Sequence, residues 1–238
     1  MASERALLLI ADIGGYTEYM STHRMSLAHA EVNTARLLER VVDAAPAFDL
    51  IEIKGDAAFL ARPADPADGR ASVDDTTRAV VAMHRAFHSE RRYVATNLCP
   101  CRGCTQADKL TLKFVAHVGE VASQTIRRRR KLVGIDVIQV HRMLKNPVGV
   151  PEYVLFSEAL YRGGGDAGPD PAHEIAQDLE GIGPTRAWFV DIGDLAGPLP
   201  EPPVPSLRER LGRTLGVAGA GVPLMLGLRR RRSPAPAV

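Results

Sequence analysis

Cysteine is scarce in this chain of 238 residues, and long hydrophobic runs are missing altogether. The three cysteines all lie within residues 99–104, which does not fit the disulfide framework of a small secreted protein. No stretch reaches the roughly 20 apolar residues of a membrane-spanning helix. The first apolar run, residues 7–11, is too brief for the core of a signal peptide. We therefore expect a cytoplasmic protein.

Aromatic residues are also few, at 5%, so aliphatic side chains must fill the core of a chain that is 45% hydrophobic. The formal net charge of +2 indicates no class of partner by itself, and we expect no nucleic-acid partner. Basic residues nevertheless cluster at 127–131 and at 229–232. The first cluster is predicted to be a turn, which is either solvated or in contact with a triphosphate or another anion.

The hydrophobic pattern predicts seven strands and four main helices. The strands are predicted at residues 7–11, 48–54, 57–61, 110–121, 153–156, 174–181 and 185–192. The helices are predicted at residues 27–42, from residue 72 onward, at 134–146 and at 157–162. Ser72 is the predicted N-cap of the second helix. This order of elements indicates a ferredoxin-like α/β (α+β) sandwich with an added helix and hairpin.

Two aspartates each stand at the end of a predicted strand, beside a glycine. Asp12 follows the apolar run 7–11, and Asp56 follows Gly55 after the next strand. At the edge of a sheet, two such carboxylates can share a hard cation such as Mg²⁺ with a phosphate. The alternative is that both are turn residues, because Asp and Gly favour turns for local reasons.

Five segments resemble, in the right order, motifs of the class III nucleotidyl cyclases, which are adenylyl and guanylyl cyclases of ferredoxin-like fold. The segments are residues 11–17, 55–56, 114–121, 132–143 and 179–183. Together they lie within residues 7–192, and the segment 137–146 is closer to a bacterial cyclase-like family of unassigned function. The resemblance implies a mostly antiparallel sheet with helices on one face.

The resemblance also implies a nucleotide site. Cyclases of this family bind a purine nucleoside triphosphate with two divalent ions, Mg²⁺ or Mn²⁺, held by two aspartates. By position, the metal ligands are Asp12 and Asp56. The phosphate-binding turn is Ile13, Gly14, Gly15, Tyr16 and Thr17. Because the family's active site forms between two chains, the resemblance further implies a homodimer.

The other half of the implied site departs from the family pattern. Arg142 matches the catalytic arginine, but Ile138 stands where the ribose-orienting asparagine is expected. Isoleucine cannot form a hydrogen bond, so cyclase turnover is predicted to be weak or absent. At the base-reading positions, Glu52 matches the guanylyl pattern and Lys131 matches neither pattern. These two side chains either read a purine or pair with each other.

Cys99, Cys101 and Cys104 precede the central strand. Three thiolates can hold Zn²⁺ with a fourth ligand, for which His84 and His88 are candidates. The alternatives are a redox pair at Cys101 and Cys104, or three cysteines that simply stay reduced. Separately, His117 lies in an apolar strand and is predicted to be a hydrogen-bonded core histidine.

The chain divides by composition into three parts. Residues 1–195 form a cyclase-like domain, residues 196–205 a proline-rich linker, and residues 206–238 a basic, Gly/Leu-rich tail, partly helical or disordered. Such a tail can make peripheral contact with the inner face of a membrane. The function predicted is nucleotide binding by a cyclase-like protein; the alternative is a non-catalytic signalling or partner-binding module.

Overall fold

The computed structural model describes residues 3–21, 24–127, 129–165, 168–199 and 205–225. The strands are β1 (Ser3–Gly14), β2 (Asp49–Lys54), β3 (Ala57–Pro63), β4 (Thr111–Ile126), β5 (Arg129–Val133), β6 (Tyr153–Ser157), β7 (His173–Leu179) and β8 (Gly183–Asp191). The helices are α1 (Tyr16–Met20), α2 (Arg24–Asp43), α3 (Gly69–Ala95), α4 (Arg102–Thr105), α5 (Ile135–Arg142), α6 (Glu158–Gly163), α7 (Ile192–Ala196) and α8 (Leu207–Met225).

The strands form one sheet in the order β2-β3-β1-β4-β6-β8-β7, and β5 pairs with the end of β4. All neighbours are antiparallel except β4 and β6. Helices α2, α3, α6 and α7 pack on one face, and the short helix α5 packs on the other. The predicted fold class is confirmed.

The apolar run after residue 6 forms a strand that is buried on both sides. Leu7 and Leu9 face the layer of long helices, whereas Leu8 and Ile10 face the side of α5. All four side chains are at most 1% exposed. Alternation of side chains across a strand explains why an unbroken apolar run is required at the centre of this sheet.

Two local predictions are wrong. Helix α3 begins one turn before Ser72, because the side chain of Asp68 accepts a hydrogen bond from the backbone N–H of Ala71 at 2.8 Å and caps the helix. The basic cluster at 127–131 is not simply a turn. Residues 129–131 belong to β5, since they continue the antiparallel ladder with β4.

Part of the tail is a helix that packs on the domain. Helix α8 lies against α2, and its Thr214 Oγ1 accepts a hydrogen bond from the backbone N–H of Leu98 at 2.7 Å. Arg213 places its guanidinium 4.4 Å from the ring centre of Tyr93. The arginine run at 229–232 lies outside the described residues. Among the helices that are described, none has the length and apolar character needed to cross a bilayer.

Candidate functional site

The fold brings Asp12 and Asp56 together at one edge of the sheet. Asp12 stands opposite Ala57 in the β1–β3 ladder, and the N–H of Ile13 donates to the carbonyl oxygen of Asp56 at 3.1 Å. Both carboxylates are half-buried. Burial, and then the negative charge of Asp12, raises the pKa of Asp56. Two neighbouring carboxylates of this kind form a ligand set for hard divalent cations.

Lys113 is a third charged member of this edge, and no local pattern in the sequence indicates it. It is the direct cross-strand partner of Asp12 on β4, and its Nζ lies 3.2 Å from Asp12 Oδ2. Both side chains are largely buried, with 27% and 17% exposure. Lys113 therefore offsets one of the two carboxylate charges and offers a cation beside them. Detecting it required the register between β1 and β4.

The turn after Asp12 is tightly constrained. Gly15 has φ of 79°, a conformation that side-chain-bearing residues rarely adopt. A Cβ on Gly14 would collide with the side-chain oxygen Oγ1 of Thr111, which would then have to move. Ile13 is 1% exposed and offers only its backbone, whereas Thr17 is exposed. Helix α1, which begins at Tyr16, has five residues and provides little dipole.

Tyr16 faces the carboxylate pair. Burial, and then the charge of Asp56, raises the pKa of its phenol. The segment that the resemblance assigns to phosphate binding is thus folded next to both carboxylates.

Arg142 ends α5, and its guanidinium is next to Gly181, in the turn between β7 and β8. The neighbouring His141 packs edge-on against Phe59, with ring centres 4.9 Å apart, and Phe59 stands opposite Ile10 in the β1–β3 ladder. Helix α5 therefore ends over the face of the sheet that also carries Asp12. Within the described residues, no ion pair joins Arg142 to Asp12 or Asp56.

The remaining positions implied by the resemblance lie on the surface. Ile138 is 46% exposed on α5, one turn before Arg142. Glu52 on β2 and Lys131 on β5 are exposed as well. Within the part of the chain that the structure describes, no ion pair joins Glu52 to Lys131.

The three cysteines converge, and a histidine from α2 joins them. His29 Nδ1 lies 3.3 Å from Cys101 Sγ and 3.5 Å from Cys99 Sγ. Hydrogen bonding from Cys101 is the main cause that lowers the pKa of Cys104 to about 5. The prediction that His84 or His88 completes this group is wrong. His29 is 70 residues from Cys99 in sequence, so no local spacing could reveal it.

His84 and His88 instead form a separate cluster with Glu152. His88 Nε2 lies 2.9 Å from His84 Nε2 and 3.0 Å from both carboxylate oxygens of Glu152. The N–H of Leu112 donates to Glu152 Oε1 at 2.9 Å. Although burial opposes ionisation, the hydrogen bonds from the two histidines keep the pKa of Glu152 well below its usual range. The cluster fastens α3 to Leu112, near the start of β4, and to Glu152, which directly precedes β6.

His117 is a core residue, as predicted. It is 2% exposed, and its two ring nitrogens lie 2.8 Å from Ser157 Oγ and 2.8 Å from Asp136 Oδ1. Burial lowers its pKa despite the nearby carboxylate. A buried imidazole with both nitrogens engaged is a structural element of the sheet.

Comparisons with known proteins agree with this fold. A sequence model of the family described as "Protein of unknown function (DUF2652)" matches residues 34–153. The "Uncharacterized protein Rv2561/Rv2562" of Mycobacterium tuberculosis is 36% identical over 197 residues, which are 82% of this chain and 90% of that protein.

Solved structures with this fold are class III cyclases and their relatives. The guanylyl cyclase Cya2 superposes with a TM-score of 0.59 at 18% identity, covering 79% of this chain and 92% of the other. A class III adenylyl cyclase-like ATP-binding protein from Pseudomonas aeruginosa gives a TM-score of 0.52 at 21% identity, covering 68% and 35%. These matches establish the fold of the cyclase superfamily.

Proposed function

This chain belongs to the family of proteins of unknown function DUF2652, and we propose that it binds a purine nucleoside triphosphate through two divalent ions, Mg²⁺ or Mn²⁺. The observation that carries the proposal is that Asp12 and Asp56 lie side by side next to a glycine turn. A solved protein of similar fold is described as ATP-binding, which supports nucleotide as the ligand class.

The charges at this edge favour a metal–polyphosphate complex over a bare anion. Two carboxylates would repel a triphosphate, so cations must lie between them. Bound divalent ions would activate the ribose 3′-hydroxyl and offset charge on the phosphates. Lys113 already neutralises part of the pair, and its ammonium would remain available to a phosphate oxygen. The turn at 14–17 would contribute backbone N–H groups, because the N–H of Ile13 is already donated to Asp56.

The proposal includes a homodimer with weak or no turnover. Among the residues that the structure describes, the guanidinium of Arg142 lies at the β7–β8 turn and forms an ion pair with neither carboxylate, so we assign their meeting to a second copy. Closed twofold assemblies are the commonest way for a soluble chain to complete a site. Ile138 still leaves the ribose without an amide partner, which makes nucleotide binding without efficient cyclisation the expected behaviour.

The test of binding is a thermal unfolding series on the full chain. With GTP or ATP and Mn²⁺ near 100 times the dissociation constant, ligand binding contributes ~2.7 kcal/mol and raises the unfolding midpoint by roughly 5–10 °C. Nucleotide without divalent metal, or guanosine with Mn²⁺, is expected to leave the midpoint unchanged. An equal rise without Mn²⁺, or no rise with either nucleotide, would contradict the proposal.

A second candidate function follows from α8. Leu207, Leu211 and Leu215 repeat every four residues, and they are 73%, 53% and 65% exposed. A neighbouring side of the helix is held to the domain by Arg210, whose Nε donates to the carbonyl of Thr96 at 3.1 Å. The domain therefore presents an apolar stripe with arginines beside it. This arrangement suits peripheral contact with an anionic lipid surface.

Liposome co-sedimentation tests the lipid contact. The full chain is expected to pellet with vesicles containing phosphatidylserine, and the triple replacement of these leucines by asparagine should weaken binding on the order of 10²-fold, given the apolar area removed. Leu50→Asn, at another exposed leucine, serves as the matched control and should bind normally. Equal pelleting of the triple variant and the unaltered chain would remove this candidate.

A further inference from the structure

Four side chains from two distant parts of the chain converge at the cysteines. We define the cysteine cluster as His29, Cys99, Cys101 and Cys104, whose ligand atoms all lie within 4.8 Å of one another. Cys104 is buried and the other three are half-buried. The convergence joins α2 to the loop that contains α4, and the sequence alone indicated only the three thiols.

We propose that the cysteine cluster binds one Zn²⁺ in a closed tetrahedral site with three thiolates and one imidazole. With Zn–S near ~2.3 Å and Zn–N near ~2.1 Å, a tetrahedron separates sulfur from nitrogen by about 3.6 Å. The separations from His29 Nδ1 are 3.3 Å to Cys101 Sγ and 3.5 Å to Cys99 Sγ. These two separations are close to the spacing that the ion requires, and the ligand atoms of all four side chains lie within 4.8 Å of one another.

The donor set selects the ion and its role. Three sulfurs and one nitrogen suit a soft or borderline metal, whereas Mg²⁺ and Ca²⁺ require oxygen ligands. Four protein ligands leave no position for water or substrate, so the site is structural. A redox pair would involve Cys101 and Cys104 alone. It would not explain why Cys99 and His29 approach the same point.

The position of the cluster indicates which part of the fold the ion would hold in place. Gly103, between two of the cysteines, accepts hydrogen bonds at its carbonyl from Tyr19 Oη and from Asn33 Nδ2, the latter at 2.7 Å. Tyr19 belongs to α1, which follows the glycine turn beside Asp12. Zinc would therefore fix the loop that supports α1, at a site separate from the carboxylate pair.

Cobalt substitution of the full chain tests the site directly. Co²⁺ added to metal-free, reduced protein is expected to give intense sulfur-to-cobalt charge-transfer absorption, which one equivalent of Zn²⁺ then abolishes. The cluster of His84, His88 and Glu152 has no sulfur and cannot produce this band, so its occupancy does not interfere. Zinc analysis of freshly purified protein should fall by one equivalent per chain in Cys101→Ser.

Variants of the histidine separate a ligand from a merely buried side chain. His29→Ala should lower Zn²⁺ affinity at least ~100-fold, whereas His29→Cys should retain binding, because four thiolates also form a good zinc site. The double variant of His84 and His88 to alanine should keep the charge-transfer band. His173→Ala, at an exposed histidine, should behave like the unaltered chain.

Three results would overturn the zinc proposal. The first is the absence of a charge-transfer band in the unaltered chain, a result that does not depend on whether any variant folds. The second is a Cys101–Cys104 disulfide in protein purified without reductant, with only one thiol left to titrate. The third is an unchanged Zn²⁺ affinity in His29→Ala. None of these results bears on nucleotide binding at Asp12 and Asp56, whose failure would be recognised separately.

Discussion

Replacing Asp56 by asparagine is expected to stabilise the protein without divalent metal and to abolish its response to nucleotide and Mn²⁺. In the fold, burial and the charge of Asp12 raise the pKa of Asp56, so its ionised form is disfavoured relative to the unfolded chain. The neutral amide removes this unfavourable charge at pH 7. The gain should shrink as pH falls through the raised pKa of Asp56 in the folded chain, and it should be lost below about 4, where the carboxyl of the unfolded chain is protonated as well.

The same substitution removes a metal ligand, so its effect on binding has the opposite sign. Mn²⁺-dependent nucleotide affinity should fall at least ~100-fold, because replacing even a residue that only supports a metal ligand commonly lowers metal affinity or activity 10–100-fold. Asparagine is favoured in turns as aspartate is, so the β2–β3 turn should persist. Unfolding midpoints and titration calorimetry, each with and without Mn²⁺, measure both effects in one protein.

Asp178→Asn provides the matched control for this prediction. Asp178 is exposed on β7, the edge strand at the opposite side of the sheet from β2. Its replacement should therefore change neither stability nor nucleotide affinity appreciably. If Asp56→Asn lowered the stability of the metal-free chain and left nucleotide binding intact, Asp56 would be a turn residue and nothing more.

Replacing Ile138 by asparagine is expected to raise cyclic nucleotide formation from GTP or ATP with Mn²⁺ on the order of 10²-fold. The amide would restore the ribose partner that the resemblance assigns to this position. Residue 138 lies one helical turn before Arg142, so both side chains project from the same face of α5. Because Ile138 is 46% exposed, the substitution should cost the fold little. Chromatographic quantification of product measures the rate.

Ile135→Asn is the matched control, because Ile135 is 57% exposed on the same helix and its replacement should not raise turnover.

The activity gained in Ile138→Asn also tests the dimer. In the Ile138→Asn background, Asp12→Asn and Arg142→Ala should each be inactive. Mixing and exchanging the two variants should restore about one quarter of the sites. No gain from asparagine, or no recovery on mixing, would contradict the shared site.

Much of the fold could be predicted from the sequence because its central strands carry strong local signals. The run 7–11 had to be buried on both faces, and the order of strands and helices then limited the topology. The N-cap of α3 was harder to predict. Both Asp68 and Ser72 can cap a helix, and Asp68 is the N-cap because the turn between the two residues is already helical.

The site was only partly predictable because its other members depend on long-range pairing. Asp12 and Asp56 were recognisable as strand ends, whereas Lys113 joins them only through the register of β4 on β1. Likewise, His29 reaches the cysteines only once α2 packs beside α4. The contact of Arg142 with the β7–β8 turn likewise depends on how α5 packs across the sheet, which local sequence does not encode.

The most direct test of the nucleotide site is an anomalous-difference map from crystals grown with Mn²⁺ and a non-hydrolysable GTP analogue. We expect manganese peaks in contact with the carboxylates of both Asp12 and Asp56, beneath the analogue's phosphates, with Arg142 of a second copy nearby. A bound analogue whose metal touches neither side chain, or crystals without manganese at this edge, would contradict the proposed function.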